Sequence, residues 1–198
     1  MRVWLLTNTC YGTWLPGDRR GSVTSVRDWR PGDPPLIARI EHDIPGQLYE
    51  DEMPGLRRHA AGLLKSPPLF LDRDKAEILT AQFRETADCR KWTVLAAAVM
   101  FNHWHMVVEV LGDPKPGKIL ADFKAYGSRA LNDKYGRPPS ETWWTERGSK
   151  RILKGDQARR DGIHYVLRKQ PYPLATWPAD DQTTETVFVP SEAREASQ

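Results

Sequence analysis

Two histidines separated by one residue, His103 and His105, are the part of this 198-residue chain best suited to chemistry. They stand in the run Val99-Met100-Phe101-Asn102-His103-Trp104-His105-Met106-Val107-Val108-Glu109-Val110, apolar and β-branched enough to predict a strand. Side chains alternate across a strand, so His103, His105, Val107 and Glu109 share one face. Trp104, Met106, Val108 and Val110 share the other, which is wholly apolar. One face therefore packs on a core while the other presents two imidazoles and a carboxylate. Two imidazoles in this relation can chelate one divalent cation, which suggests Lewis-acid chemistry. Taken alone, the pair fits a metal site and a sheet-filling role about equally.

A metal site needs a reacting partner, and the chain has six tyrosines. Tyr126 falls on a helical apolar stripe with Ile119, Phe123 and Ala130, so its expected role is core packing. Tyr11, Tyr49, Tyr135 and Tyr172 fall in turns or loops. Tyr165 differs. In a helix predicted over Gln157 to Lys169, the apolar side is Ile163, Val166 and Leu167, and Tyr165 points almost oppositely, with Asp161, Arg168 and Lys169. A tyrosine held off the core among charges is a candidate nucleophile. An ordinary half-exposed tyrosine has the same pattern.

The elements that must position these groups can be read outward from them. Met1 to Asn8 predicts a first strand, followed by an aromatic turn at Tyr11-Gly12-Thr13-Trp14. Residues 15–69 are rich in proline, glycine and charge and read as a long excursion, with at most a short helix near Leu56–Leu64. Asp74-Lys75-Ala76-Glu77 predicts a helix start with Asp74 as its N-cap, and Ala76, Leu79, Phe83 and Ala87 as the buried stripe. Trp92 to Met100 suits a buried central strand, and Phe101-Asn102 turns the chain into the histidine strand. A second long helix begins at Pro116 and ends near Tyr135-Gly136. Trp143-Trp144-Thr145 and Ser149 to Leu153 suggest one or two further strands. Strand alternation would turn one of the two tryptophans outward, where it could stack on an unpaired base. The order predicts an α+β fold, a ferredoxin-like antiparallel sheet with helices on one face and the histidines on its open face.

Composition bounds the rest. The length suits one domain, expected over 1–175, with a polar tail over 176–198. No stretch approaches the roughly 18 apolar residues of a membrane span. Cys10 and Cys89 lack metal-type spacing, which with the absence of a signal-peptide pattern predicts a reduced, cytoplasmic setting. The net charge of +3 says little about nucleic acid. The local run from Arg147 to Lys169 says more. Arg147, Lys150, Arg151, Lys154, Arg159, Arg160, Arg168 and Lys169 face only Asp156 and Asp161, a pattern that can follow a phosphate backbone or be a solvated face.

These residues resemble a known family. Phe101-Asn102-His103-Trp104-His105-Met106-Val107-Val108 is similar to the His-hydrophobic-His core of the HUH single-tyrosine transposases of insertion sequences. In that family a helix with a lone tyrosine follows about 60 residues later, where Tyr165 falls. Phe123 to Asn132 resembles the family's Lys-aromatic-x-Ser-Arg-x-Leu-Asn helix, and Trp143-Trp144 before a basic strand also fits. The subgroup most similar is the REP-associated tyrosine transposases. The resemblance covers about residues 70–172 and the first strand.

The resemblance implies a metal-dependent endonuclease and strand transferase acting on single-stranded DNA near hairpins. His103 and His105 would hold Mg²⁺ or Mn²⁺, and Tyr165 would form a 5′-phosphotyrosine link. Lys124, Arg129, Lys150, Arg151, Arg168 and Lys169 are the implied DNA contacts. The protein would act as a monomer or homodimer and associate with the nucleoid when bound to DNA. One position departs from the pattern. The family has glutamine or asparagine four residues after the tyrosine as a further ligand, whereas this chain has Lys169 there and Gln170 one residue later. Gln170, Asp161 and Glu109 all stay open as the third ligand. Two other readings stay open as well: a domesticated hairpin-DNA-binding module that does not cut, and a nuclease whose nucleophile is metal-bound hydroxide.

Overall fold

The computed structural model describes residues 1–20 and 52–178. In chain order its elements are β1 (Arg2–Thr9), α1 (Pro54–Gly62), α2 (Arg73–Arg90), β2 (Thr93–Val99), β3 (His103–Val110), α3 (Pro116–Tyr135), β4 (Ser149–Leu153), α4 (Gly155–Arg168) and β5 (Ala175–Trp177). The strands form one sheet in the order β4-β1-β3-β2-β5, with every neighbouring pair antiparallel. The β1-α2-β2-β3-α3-β4 succession gives the expected α+β, ferredoxin-like arrangement. The 21–51 part of the predicted excursion, and the tail beyond residue 178, lie outside the described residues.

Alternation along β3 organises the packing. Trp104, Met106, Val108 and Val110 are buried against α2 and α3, where Leu79, Phe83, Ile119, Phe123 and Leu131 meet them. Phe83 lies 4.9 Å from Trp104 and 5.7 Å from Phe123, centroid to centroid. The opposite face carries a smaller cluster. There α4 sets Val166, with Ala158, Ile163 and Leu167, against Val3, Ala96, Ala98, Val107 and Leu153. The face bearing the histidines is thus open at one end and roofed by α4 along the other.

Local starts and stops follow side-chain chemistry, with two corrections to the expectations. The α2 N-cap is Asp72 rather than Asp74: its carboxylate accepts from the Lys75 backbone N–H at 2.9 Å, and Asp74 falls inside the first turn. Neither Trp143 nor Trp144 faces solvent. They are 5% and 2% exposed, and their indole N–H groups donate to Asn132 Oδ1 at 2.8 Å and to the Lys124 carbonyl at 3.0 Å. The segment makes one isolated bridge, Cys10 with Trp144, instead of a strand, so strand alternation does not govern it. Both indoles close the end of the core. At the other sheet edge, β5 carries regular structure to Trp177, across the expected start of the tail.

The contacts divide the chain into two compact units. One comprises Met1–Thr13 and the chain from Ser66 onward, and contains the sheet and α2–α4. The other, Trp14–Lys65, contains α1, the short helix expected in the excursion. Within that second unit the Arg20 guanidinium bonds the Asp18 carboxylate at 2.7 Å and holds its carboxyl below the usual range. Gly17 there has φ +79°, and a Cβ on it would meet the Met53 carbonyl at 2.4 Å, so this turn requires glycine.

Candidate active site

Residues paired across an antiparallel ladder share a face. Ser149, Thr7, His105, Ala98 and Thr176 therefore form one row across the sheet, and Thr9 stands beside His103 in the next. This row explains how His105 is held. Thr7 Oγ1 lies 2.6 Å from His105 Nδ1. His103 is held by its own neighbour, with Asn102 Oδ1 at 2.6 Å from its Nδ1. An amide oxygen only accepts, so His103 Nδ1 donates, and Nε2 is then its basic nitrogen. Asn102 is buried, and its carbonyl accepts from the Cys10 N–H at 2.8 Å. Both rings are thus gripped at Nδ1, the arrangement that orients metal-binding imidazoles through Nε2.

The rings stand 4.9 Å apart, edge to face. Burial, added to by His103, brings the His105 imidazole down to about 3 from 6.5, while its hydrogen bond with the Gln170 side chain pulls the other way. His105 is therefore neutral at pH 7, the form in which imidazole ligates a cation.

Tyr165 comes from α4. Its ring centroid is 5.3 Å from that of His105, and its side is 41% exposed, the most exposed aromatic at the site. Val166, the next residue, is buried on the sheet, so the helix that anchors by one side chain hands its neighbour to the histidines. Gln170 reaches the same place. A continuous helix would carry it round to the buried side, but α4 stops at Arg168. Beyond that end Gln170 doubles back, donates to the Tyr165 carbonyl at 3.2 Å and contacts His105.

The other two candidate ligands lie elsewhere. Glu109 is on the histidine face but ~13 Å along the strand from His105 at the usual rise, and its carboxylate pairs with Arg159 of α4 at 3.2 Å. Asp161 accepts from Gln157 at 2.8 Å on the exposed side of α4. Among the described residues no three His, Cys, Asp or Glu side chains gather into a metal set. The donor set at hand is two imidazoles and an amide, and it suits a divalent cation that completes its shell with substrate or solvent oxygen.

The basic candidates also separate. Arg151 pairs with Leu5 beside Val107 and so lies on the histidine face, while Lys150 turns away and bonds the Gly148 carbonyl at 3.0 Å. Arg168 and Lys169 are exposed at the end of α4 beside Gln170. Arg129 is exposed on α3, its guanidinium 5.0 Å over the Tyr126 ring. Tyr126 itself is only partly buried, and Gly127 takes the buried place next to it. Lys124 is engaged within the protein: its ammonium donates to the carbonyls of Thr145 at 2.6 Å and Glu146 at 2.9 Å, and burial brings it down to about 8. Sequence reasoning missed Thr7, whose partner is 98 residues away; its parity with Thr9 on β1 was the available signal.

A sheet bearing His-x-His on one face, with a tyrosine-bearing helix laid on it, defines an α+β protein with a polar, partly roofed sheet site. Residues 59–148 match the family described as Transposase IS200 like. The segment holds both histidines and ends before Tyr165. Two solved structures are similar. The structure of a REP-associated tyrosine transposase bound to a REP hairpin has 13% identity and a TM-score of 0.43, over 83% of this chain and 64% of that one. A proposed transposase from Deinococcus radiodurans R1 has 11% identity and a TM-score of 0.43, over 86% of this chain and 92% of that one. This chain thus spans a little under two thirds of the hairpin-bound protein. No curated protein sequence matches the chain significantly. Among the described residues no helix is long and apolar enough to cross a membrane.

Proposed function

We propose that the chain is a metal-dependent endonuclease and strand transferase for hairpin-bearing single-stranded DNA, with Tyr165 as nucleophile. The observation that carries this reading is the placing of the Tyr165 ring beside His105, whose Nδ1 edge is already occupied by Thr7. The match of residues 59–148 to the family described as Transposase IS200 like supports the reaction class.

His103, His105 and Gln170 would hold a divalent cation, Mg²⁺ or Mn²⁺. When bound, it would draw charge from the non-bridging oxygens of a phosphodiester. The Tyr165 phenol oxygen attacks phosphorus in line, the bond to the 3′-oxygen breaks, and that oxygen takes up a proton as the phenol loses one. The products are a 5′-phosphotyrosine and a free 3′-hydroxyl. Attack by a 3′-hydroxyl reverses the step and joins strands. One phosphodiester replaces another, so no nucleotide cofactor enters the balance. Arg151, Arg168 and Lys169 supply positive charge around the site for the DNA backbone.

A denaturing gel tests the reading, with end-labelled hairpin DNA from the sequence flanking the gene and Mn²⁺. The expected result is a protein-sized labelled adduct, lost in Tyr165→Phe and in the doubly substituted His103→Ala/His105→Ala protein, and kept in Tyr126→Phe. Nicking without an adduct, unchanged in Tyr165→Phe, would replace the tyrosine with metal-bound hydroxide. Binding without cleavage would leave a hairpin-DNA-binding module.

A further inference from the structure

One side of the α4 helix meets the sheet through small side chains, with Ile163 and Leu167 packed beside them. Ala158, Gly162 and Val166 recur at intervals of four along one side of the helix and meet Val3, Ala96, Ala98 and Val107. Gly162 is a point of close contact. A Cβ placed on it would lie 2.6 Å from Leu153 Cδ1 and 3.6 Å from Val107 Cγ2. Leu153 is itself buried on the last residue of β4. Gly162 has no positive φ, so nothing in its backbone requires glycine; only the room does. At the next turn toward the N-terminus, Arg159 ties the helix to Glu109 of β3.

Helix propensity runs against this choice. Glycine inside a helix is poorer than alanine, and α4 has no side-chain N-cap to compensate. A weak helix former at a point of such close contact has a geometric reason. Tyr165 lies one turn beyond Gly162, so any lift of the helix there is carried to its ring, which stands 5.3 Å from His105.

We propose that Gly162 and Leu153 form a notch that sets the depth of α4 on the sheet and so the reach of Tyr165 to the histidines. Gly162 is a positioning residue: it touches neither DNA nor metal and acts through the placing of Tyr165. The catalytic consequence rests on the nuclease reading above, whereas the geometric one does not.

The test compares wild type, Gly162→Ala, Leu153→Val and the double variant. Leu153→Val removes the δ carbons that an alanine at 162 would strike. Two readouts are taken from each: NOE contacts between the Tyr165 and His105 ring protons, and the rate of covalent adduct formation at saturating hairpin DNA. In Gly162→Ala the expectation is loss of the ring contacts and an adduct rate at least about tenfold lower, with DNA affinity within about twofold of wild type. The double variant should regain the ring contacts and most of the rate, measured against Leu153→Val alone. Ring contacts and rate unchanged in Gly162→Ala would overturn the proposal, as would a double variant no better than the single. If Gly162→Ala does not fold, a folded double variant with the ring contacts supports the notch, and an unfolded one overturns it. If wild type forms no adduct, the nuclease reading fails, and the ring contacts alone decide the notch.

Discussion

The two faces of the sheet are built from different materials. On the α2–α3 side bulk fills the space: Phe83, Trp104, Phe123, Trp143 and Trp144 are all buried there. On the α4 side Ala158, Gly162 and Val166 line the helix where it meets the sheet, with the larger Ile163 and Leu167 packed beside them. Bulk on one face gives the sheet a firm floor. Small residues on the other bring a backbone close enough for a tyrosine to meet a histidine that the floor holds still. The bulky core and the candidate site thus lie on opposite faces of β3, and the alternation of a single strand separates them.

The largest expected effect tests that division directly. Phe83 is fully buried and touches both Trp104 and Phe123. Phe83→Ala should cost about 3–5 kcal/mol in urea denaturation, from lost burial and the cavity left behind. Tyr165→Phe removes one hydroxyl from an exposed ring and should stay within about 0.5 kcal/mol of wild type while abolishing the adduct. Comparable losses of stability in the two variants would show that α4 belongs to the core and that the faces are not separate.

Metal binding sharpens the same contrast. A cation that binds the folded site only, present at 100 times its Kd, should raise stability by about 2.7 kcal/mol. Thermal melts with Mn²⁺ should show this gain in wild type and lose it in His103→Ala. A conservative change on the opposite face, Phe83→Leu, should lower the melt but leave the gain from Mn²⁺ intact. A gain surviving in His103→Ala would place the cation elsewhere.

A smaller effect separates the side chains that grip the imidazoles from the imidazoles themselves. Thr7 and Asn102 hold the two Nδ1 atoms. Groups in that relation typically change metal affinity 10–100-fold, about 1.4–2.7 kcal/mol. Titration calorimetry with Mn²⁺ should place Thr7→Val and Asn102→Ala in that range. The Asn102 variant should be the more disturbed in stability, because Asn102 is buried at the turn. Affinities equal to wild type would mean that the rings need no such support.

What the sequence made legible follows the distance over which each feature is determined. The two faces of β3 were readable because alternation is a local rule, and Tyr165 could be set apart from Val166 by helical angle alone. The α+β order followed from elements that each announce themselves. The grip of Thr7 on His105 depends on the pairing register of two strands, which no local pattern contains. Gln170 comes close to His105 only because α4 ends at Arg168, a stop that Pro171 hinted at without fixing the path beyond it. Trp143 and Trp144 misled a strand rule because their segment is not a strand. Lys124 stood out in a local motif, but the Thr145 and Glu146 carbonyls that hold its ammonium are more than twenty residues away and could not be read from it.

Lys124 joins the two faces, and its charge gives the smallest expected effect. It rises from α3, on the bulky side, and its ammonium holds Thr145 and Glu146. Thr145 in turn bonds Thr9, which stands beside His103. Burial brings Lys124 down to about 8 from 10.5, partly offset by Glu146 and reinforced by Lys150. Below pH 8 both the folded and the unfolded chain hold its proton, and the folded state bears the desolvated charge. Between about 8 and 10.5 the folded state loses the proton first, so the unfolded state binds more protons and this group's contribution makes stability rise with pH. The neutral amine still donates to both carbonyls, so the clamp persists. Because the side chain is partly open to solvent, screening should hold the gain to about 1 kcal/mol or less. The difference in urea stability between wild type and Lys124→Met should climb across that window and level off above it. A flat difference would mean that the ammonium is as well solvated in the folded protein as outside it, and that the carbonyl clamp is loose. A falling one would reverse the sign, with the charge stabilised in place, and would make Lys124 a held cation available to a phosphate at the edge of the site.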